Sequence, residues 1–246
     1  MIWFIIATLV AFFIKGLCGF ANTLIFNGIL SYTANNINIS PLEVVLGYPS
    51  NIILVWKERK SLNWKIWLPL TALVVAGSIP GIFLLKHTDA GLLKVIFGIV
   101  VIVIGVEMLF REMKSNRESS NRKPGGSKLV LILIGIISGL LCGLYGVGAL
   151  LAAYVSRVAE NSHEFKANIC VVFVVENTIR IILYVATGIL TLSVLKQVVI
   201  LIPFMLAAVF LGMKSSSVLN EKIIKKIVIV LLILSGIVLI INNIPR

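Results

Sequence analysis

Eight long apolar tracts constrain this chain more than any other feature. They run about 2–33, 42–56, 66–85, 91–110, 129–156, 167–187, 191–213 and 223–244. Most are near the roughly 20 residues that cross about 30 Å of hydrocarbon at 1.5 Å per residue of helix. In lipid the backbone must satisfy its own hydrogen bonds, and these runs lack the alternation of barrel strands, so the tracts are expected to be helices. Composition agrees: 59% of the 246 residues are hydrophobic and 13% charged, against about 45–50% and about 25% in soluble domains. The expected fold class is an all-α integral membrane protein with about eight hydrophobic segments.

The formal net charge of +12 would suggest nucleic acid in a soluble protein. Here the basic residues cluster in short loops, where Lys and Arg hold the cytoplasmic face of a bilayer, and no basic patch interleaved with aromatics accompanies them. The opening MIWFIIATLVAFFI carries no charged residue ahead of its apolar run, which argues against a cleaved secretory signal. Cys18, Cys142 and Cys170 lie inside apolar tracts without CxxC or other metal-ligand spacing.

The two halves resemble each other. Lys15–Phe20 (KGLCGF) stands against Gly139–Leu144 (GLLCGL) at an offset of 124, Pro49-Ser50-Asn51 against Val175-Glu176-Asn177 at 126, and Gly81, Lys94 and Gly105 against Gly212, Lys225 and Gly236 at 131. The expected organisation is a first transmembrane repeat over 1–110, a polar linker over 111–128 and a second repeat over 129–246. Each repeat opens with a tract too long for one straight span and broken by glycine: Gly16 and Gly19 in the first, Gly139, Gly143, Gly146 and Gly148 in the second. The pieces on either side of a break are about 14 residues, or about 21 Å, so each tract is either one interrupted crossing or a helix hairpin.

Loop charge separates these alternatives. With single crossings, twelve Lys and Arg fall on one side of the membrane and eight on the other. With hairpins, the second half is inverted relative to the first. Sixteen then share one side (57–65, the linker, 157–166 and 214–226), and only Lys86, Lys94, Lys196 and Arg246 oppose them. The positive-inside bias selects the second arrangement: two inverted repeats, each opening with a Gly-broken helix hairpin, the linker cytoplasmic and the C-terminus outside.

Inverted repeats with discontinuous helices are a transporter architecture whose site lies where the breaks meet. A helix restarted inside the membrane presents unpaired N–H groups and the positive end of its dipole, a ready anion site. The restarts are expected near Phe20 and near Leu144–Gly146. Such glycines equally serve helix packing. Buried polar residues add to the picture: Asn51 and Asn177 at matching places, and Glu176 and Arg180 four apart on one helix face, able to pair. Arg180 has Leu54 as its counterpart, an asymmetry that suits one substrate site between two halves. Candidate substrate-binding residues are therefore Gly19, Phe20, Asn22, Asn51, Gly143, Tyr145, Gly146, Asn177 and Arg180. Lys15 is read as a residue at a break or snorkelling to an interface, Glu43 and Glu107 as solvated near tract ends, and His87 and His163 as surface residues. No catalytic set, metal site or cofactor is expected.

The two Gly-rich openings, KGLCGFANTLIFNGIL and SGLLCGLYGVGALLAAYV, within eight tracts in two halves, resemble the TauE/SafE, or sulfite-exporter-like, family of bacterial membrane transporters over nearly the whole chain. The resemblance implies a multi-pass protein of the bacterial or archaeal inner membrane that moves sulfite, a sulfonate or a related organosulfur anion. No Walker A sequence is present, so a secondary transporter, an exporter with proton or sodium as coupling ion, is the leading expectation. An oligomer is compatible with this reading. An anion channel, a membrane scaffold subunit and a membrane-embedded enzyme are the alternatives.

Overall fold

A computed structural model describes residues 1–30, 36–87 and 148–220 continuously, with scattered positions between 95 and 142 and between 223 and 241. Among the described residues all regular structure is helical. The first tract is two helices, α1 (Ile2–Cys18) and α2 (Asn22–Leu30). Then follow α3 (Asn36–Glu58), running into a 3-10 turn at Arg59–Ser61, and α4 (Trp64–His87). In the second half lie α5 (Ala149–Val158), α6 (Ser162–Ala186) and α7 (Leu192–Ser216).

The first break is a sharp reversal. Gly19 closes α1 in the left-handed conformation, φ 86°, its N–H bonded to the Lys15 carbonyl at 2.7 Å, a cap that glycine adopts without a Cβ clash. Ala21 follows at φ 72°, a strained value for a residue with a side chain. The rings of Phe12 and Phe26 then meet edge-to-face with centroids 6.4 Å apart. Fourteen residues of continuous helix would separate them by about 21 Å, so the first tract is a hairpin. The nine residues of α2 give only about 14 Å of helix, far short of a crossing.

Three helical segments are long and apolar enough to span a bilayer among the described residues: Ile39–Ser61, Ser162–Ala186 and Leu192–Ser216. Their outer faces carry large apolar side chains, among them Ile182, Val185, Val199, Phe210 and Leu211, each more than half exposed. Such a surface suits lipid, not water. Trp56 and Trp64 flank the α3–α4 turn with Arg59 and Lys65 over their rings at 4.8 and 5.9 Å, the pairing of aromatic and basic residues that marks a membrane interface.

Polar contacts tie three turns to one end of the bundle. Asn63 Nδ2 donates to Glu164 Oε1 (2.9 Å) and the Asn63 backbone N–H to Asn168 Oδ1 (3.0 Å). His163 Nδ1 meets Glu58 Oε2 at 2.7 Å. Lys166 Nζ donates to Ser216 Oγ at the end of α7. The basic loops around 57–65, 160–166 and 214–216 therefore share a face. His163 is exposed, as expected, but stands in the first turn of α6 and pairs with Glu58.

Glycine lets helix backbones touch. A Cβ on Gly16 (α1) would lie 2.4 Å from the Val209 carbonyl oxygen, and one on Gly212 (α7) 2.2 Å from that of Phe13. The same geometry joins Gly77 (α4) and Gly139: a Cβ on either would lie 2.3 Å from the carbonyl oxygen of Ile136 or Val74 respectively. In all four cases the glycine faces the carbonyl three residues before its partner glycine. Further along, Gly98, Ile102 and Gly105 face Ile240, Gly236 and Ile233 in reverse order, so those two stretches run antiparallel. At no lipid-buried interface is there a hydrophobic force between helices comparable with that in water, and close backbone packing supplies the association instead.

Candidate functional site

Beside the first break the bundle holds a small cavity. Lys15 of α1, Phe20–Leu24 at the start of α2, Glu43 and Asn51 of α3, Gly148, and Phe173 and Asn177 of α6 border it. Gly148 is the N-cap of α5. The N-terminal ends of α2 and α5, the helices that follow the two breaks, thus meet at one cavity. The second restart lies at Ala149, a few residues beyond the Leu144–Gly146 expected from sequence.

The polar groups form a chain across this cavity. Lys15 Nζ donates to Asn22 Oδ1 at 3.0 Å and lies 5.9 Å above the Phe173 ring. Asn22 Nδ2 donates in turn to Glu43 Oε1, which also accepts from Thr23 Oγ1 at 2.8 Å. Glu43 therefore sets its carboxylate against the first turn of α2, held there by two side-chain donors. Gly47, one turn along α3, leaves the cluster open. A Cβ there would sit 3.2 Å from Glu43 Oε1 and 3.6 Å from the side-chain nitrogens of both Asn22 and Asn177, so two amides from opposite halves of the chain converge on one point.

Asn51 is the least satisfied residue of the group. It is 0% exposed, borders the cavity, and neither its amide oxygen nor its amide nitrogen has a hydrogen-bond partner among the described residues. Buried amides are nearly always bonded, and an unpartnered one facing a cavity is poised for a ligand.

Behind the cavity, Glu176 and Arg180 pair as the i, i+4 spacing implies, Arg180 Nε lying 3.6 Å from Glu176 Oε1. That separation is an ion pair without a good hydrogen bond. The guanidinium is instead held by Ser40 Oγ (2.9 Å) and Tyr184 Oη (3.0 Å), which fastens α3 to α6.

Of the residues expected at a substrate site, Phe20, Asn22, Asn51 and Asn177 border the cavity. Arg180 and Gly19 do not. Arg180 is spent on Ser40, Tyr184 and Glu176, while Gly19 forms the turn, its carbonyl accepting from Cys170 Sγ at 3.3 Å. Gly143, Tyr145 and Gly146 lie outside the described residues. Two sequence expectations need correcting. Glu43 is 2% exposed, not solvated, because α3 starts at Asn36, before its apolar tract, and carries Glu43 two turns inward. Of the two readings of Lys15, the one at a break holds and snorkelling does not: it lies in the last turn of α1, 1% exposed and bonded to Asn22. Sequence reasoning also missed Thr23 and Gly47. The signal for Gly47 was its position one helical turn from both Glu43 and Asn51.

A family model described as sulfite exporter TauE/SafE matches residues 4–239. No curated protein and no solved structure matches the chain. With the match covering nearly its whole length, the chain belongs to the TauE/SafE family. Membership, together with the apolar helices, makes it a multi-pass membrane protein; it implies a transporter of sulfur anions and points away from an enzyme.

Proposed function

We propose that this TauE/SafE family member is a secondary transporter that exports a small sulfur oxyanion or sulfonate, sulfite among them, across the cell membrane through the cavity between the two breaks. The observation that carries this reading is the meeting of the α2 and α5 N-termini at one cavity that also holds Lys15 and the unpartnered Asn51 amide. Helix N-termini offer backbone N–H groups and a positive potential to an anion. Asn22, Asn51 and Asn177 add neutral donors, and Lys15 adds a compact cation reached through Asn22. A tetrahedral or pyramidal oxyanion presents several acceptor oxygens to such a ring of donors. Phe20 and Phe173 supply walls for the short apolar end of a sulfonate. Arg180 braces α3 against α6 from behind.

The same proposal covers topology. The repeats occupy 1–110 and 129–246, inverted about the linker 111–128, with the linker cytoplasmic and the C-terminus outside. Supporting it, the basic loops at 57–65, 160–166 and 214–216 lie at one end of the bundle, as inversion requires and single crossings forbid. The matched glycine contacts support it too. Gly16 with Gly212 and Gly139 with Gly77 are the same contact with the halves exchanged. Ile102 against Gly236 and Ile233 against Gly105 are exchanged likewise, at an offset of 131. In this contact Gly77, rather than Gly81, plays the counterpart of Gly212, and Gly16, rather than Lys15, that of Gly139.

The test is competition for uptake into proteoliposomes of purified protein. Labelled sulfite or methanesulfonate should enter and be displaced by other small sulfur anions, while sugars and amines leave the flux unchanged. Transport of a cation or neutral solute alone contradicts the reading.

A further inference from the structure

We propose that Glu43 is the proton-carrying group of this transporter, and that its carboxylate holds the place of the substrate anion until a proton displaces it. The inference rests on the transport reading above and names its coupling ion.

Two observations lead here. The first is position. Glu43 Oε1 accepts from Asn22 Nδ2 and from Thr23 Oγ1 (2.8 Å), both in the first turn of α2, beside the cavity. Those are the donors an incoming anion needs. While Glu43 is ionised, the protein's own carboxylate occupies them.

The second is charge balance. The groups within electrostatic reach of Glu43 are Lys15 from α1 and Glu176 and Arg180 from α6, with the Cys142 thiol beyond; Asn22 and Thr23 from α2 are uncharged. Among the described residues two cations stand against two carboxylates, which balances the empty site. Adding a monoanion leaves an uncompensated charge in a low-dielectric interior, which is strongly unfavourable. One proton on a carboxylate restores neutrality. Glu176 stands behind the cavity beside the Arg180 guanidinium, whereas Glu43 borders the cavity and occupies the Asn22 and Thr23 donors, so a proton on Glu43 is the one that both restores neutrality and frees the site.

The cycle then balances. Glu43 takes one proton from one side of the membrane and stops drawing on Asn22 and Thr23. Their N–H and O–H groups turn to an oxygen of the anion, which also engages the Asn51 amide. On the other side the anion leaves, Glu43 releases its proton, and the carboxylate reclaims both donors. One anion and one proton move together in the same direction, and no bond within the substrate changes.

The experiment uses purified full-length protein in liposomes enclosing an impermeant pH dye, with the membrane potential clamped. Methanesulfonate is the probe because it carries no titrating proton of its own. For wild type, an inward methanesulfonate gradient should acidify the lumen by one proton per anion. Glu43→Gln should still exchange methanesulfonate for methanesulfonate but lose the acidification, Glu43→Asp should keep it, and Glu176→Gln should keep it. Anion flux without proton movement in wild type overturns the inference while leaving the transport reading intact. So does coupling that survives in Glu43→Gln or is lost only in Glu176→Gln. The wild-type measurement decides the matter even if a variant does not fold. No anion flux in wild type removes the transport reading and this inference together.

Discussion

Replacing Asn51 by leucine, which has the same branched arrangement of heavy atoms, should raise stability and lower anion affinity at once. Asn51 is fully buried with both amide atoms unpartnered among the described residues, and a buried polar group without a partner costs about 1–3 kcal/mol. The cavity at its edge admits a water, which offsets part of that cost. The gain for the empty protein is therefore about 1–2 kcal/mol, a rise in Tm of roughly 2–8 °C at about 2–4 °C per kcal/mol for a chain of this size. In the bound state the amide donates to a charged oxygen, a bond of about 1.5–3 kcal/mol, so its loss should weaken binding by about 10- to 100-fold. Thermal unfolding in detergent reads the first effect, and the KM for methanesulfonate in proteoliposomes reads the second. Opposite signs are the signature of a residue kept for function at the expense of stability. A lower Tm with unchanged KM would refute the reasoning and make Asn51 a structural residue.

Gly47→Ala should raise KM, because its Cβ enters the point where the Asn22 and Asn177 amides converge; losing one charged hydrogen bond costs about 10-fold, whereas an unchanged KM would place the substrate elsewhere. Gly16→Leu and Gly139→Leu should destabilise the protein to a similar degree, by about 3 kcal/mol or more as helix backbones are forced apart, read as loss of monodisperse protein on size exclusion; tolerance at one position only would break the equivalence of the two crossings. Single cysteines at Lys60, Glu160 and Ser216 in a background without the native three should all label from the cytoplasm, with a tag after Arg246 reached from outside; labelling of Lys60 and Ser216 from opposite sides would exclude the inverted topology. Arg180→Lys should lower Tm by loosening the Ser40 and Tyr184 contacts, since an ammonium cannot reproduce the guanidinium fork, with KM within about threefold of wild type; a large KM increase at unchanged Tm would return Arg180 to the substrate site.

The parts of this fold written in local chemistry were legible without coordinates. Glycine in a membrane tract too long for one span announced the break at Gly19, and the loop charges selected a hairpin, which the contact of Phe12 with Phe26 bears out. Spacing alone paired Glu176 with Arg180. The parts missed depend on where helices begin and what they meet. Glu43 looked solvated because hydropathy starts the third helix at its apolar tract; the helix instead starts at Asn36, and polar residues in its first turns are carried inward. Lys15 was legible as a residue at a break but left open to snorkelling, because its partner, Asn22, comes within reach only when the chain reverses. Arg180 drew attention as a lone buried cation, but Ser40 and Tyr184, its hydrogen-bond partners, cannot be recognised from helix periodicity. The role of Gly47 exists only once three helices surround it.

The central claim, that a small sulfur anion is carried through the cavity between the two breaks, is tested most directly by counterflow. Proteoliposomes of purified protein, preloaded with unlabelled methanesulfonate and diluted into a trace of the labelled anion, should accumulate label transiently. The initial rate should saturate, and Lys15→Met, which removes the cavity cation, should abolish it in folded protein. A linear, unsaturable flux with no counterflow would contradict a carrier, and full activity in Lys15→Met would contradict the cavity as its site.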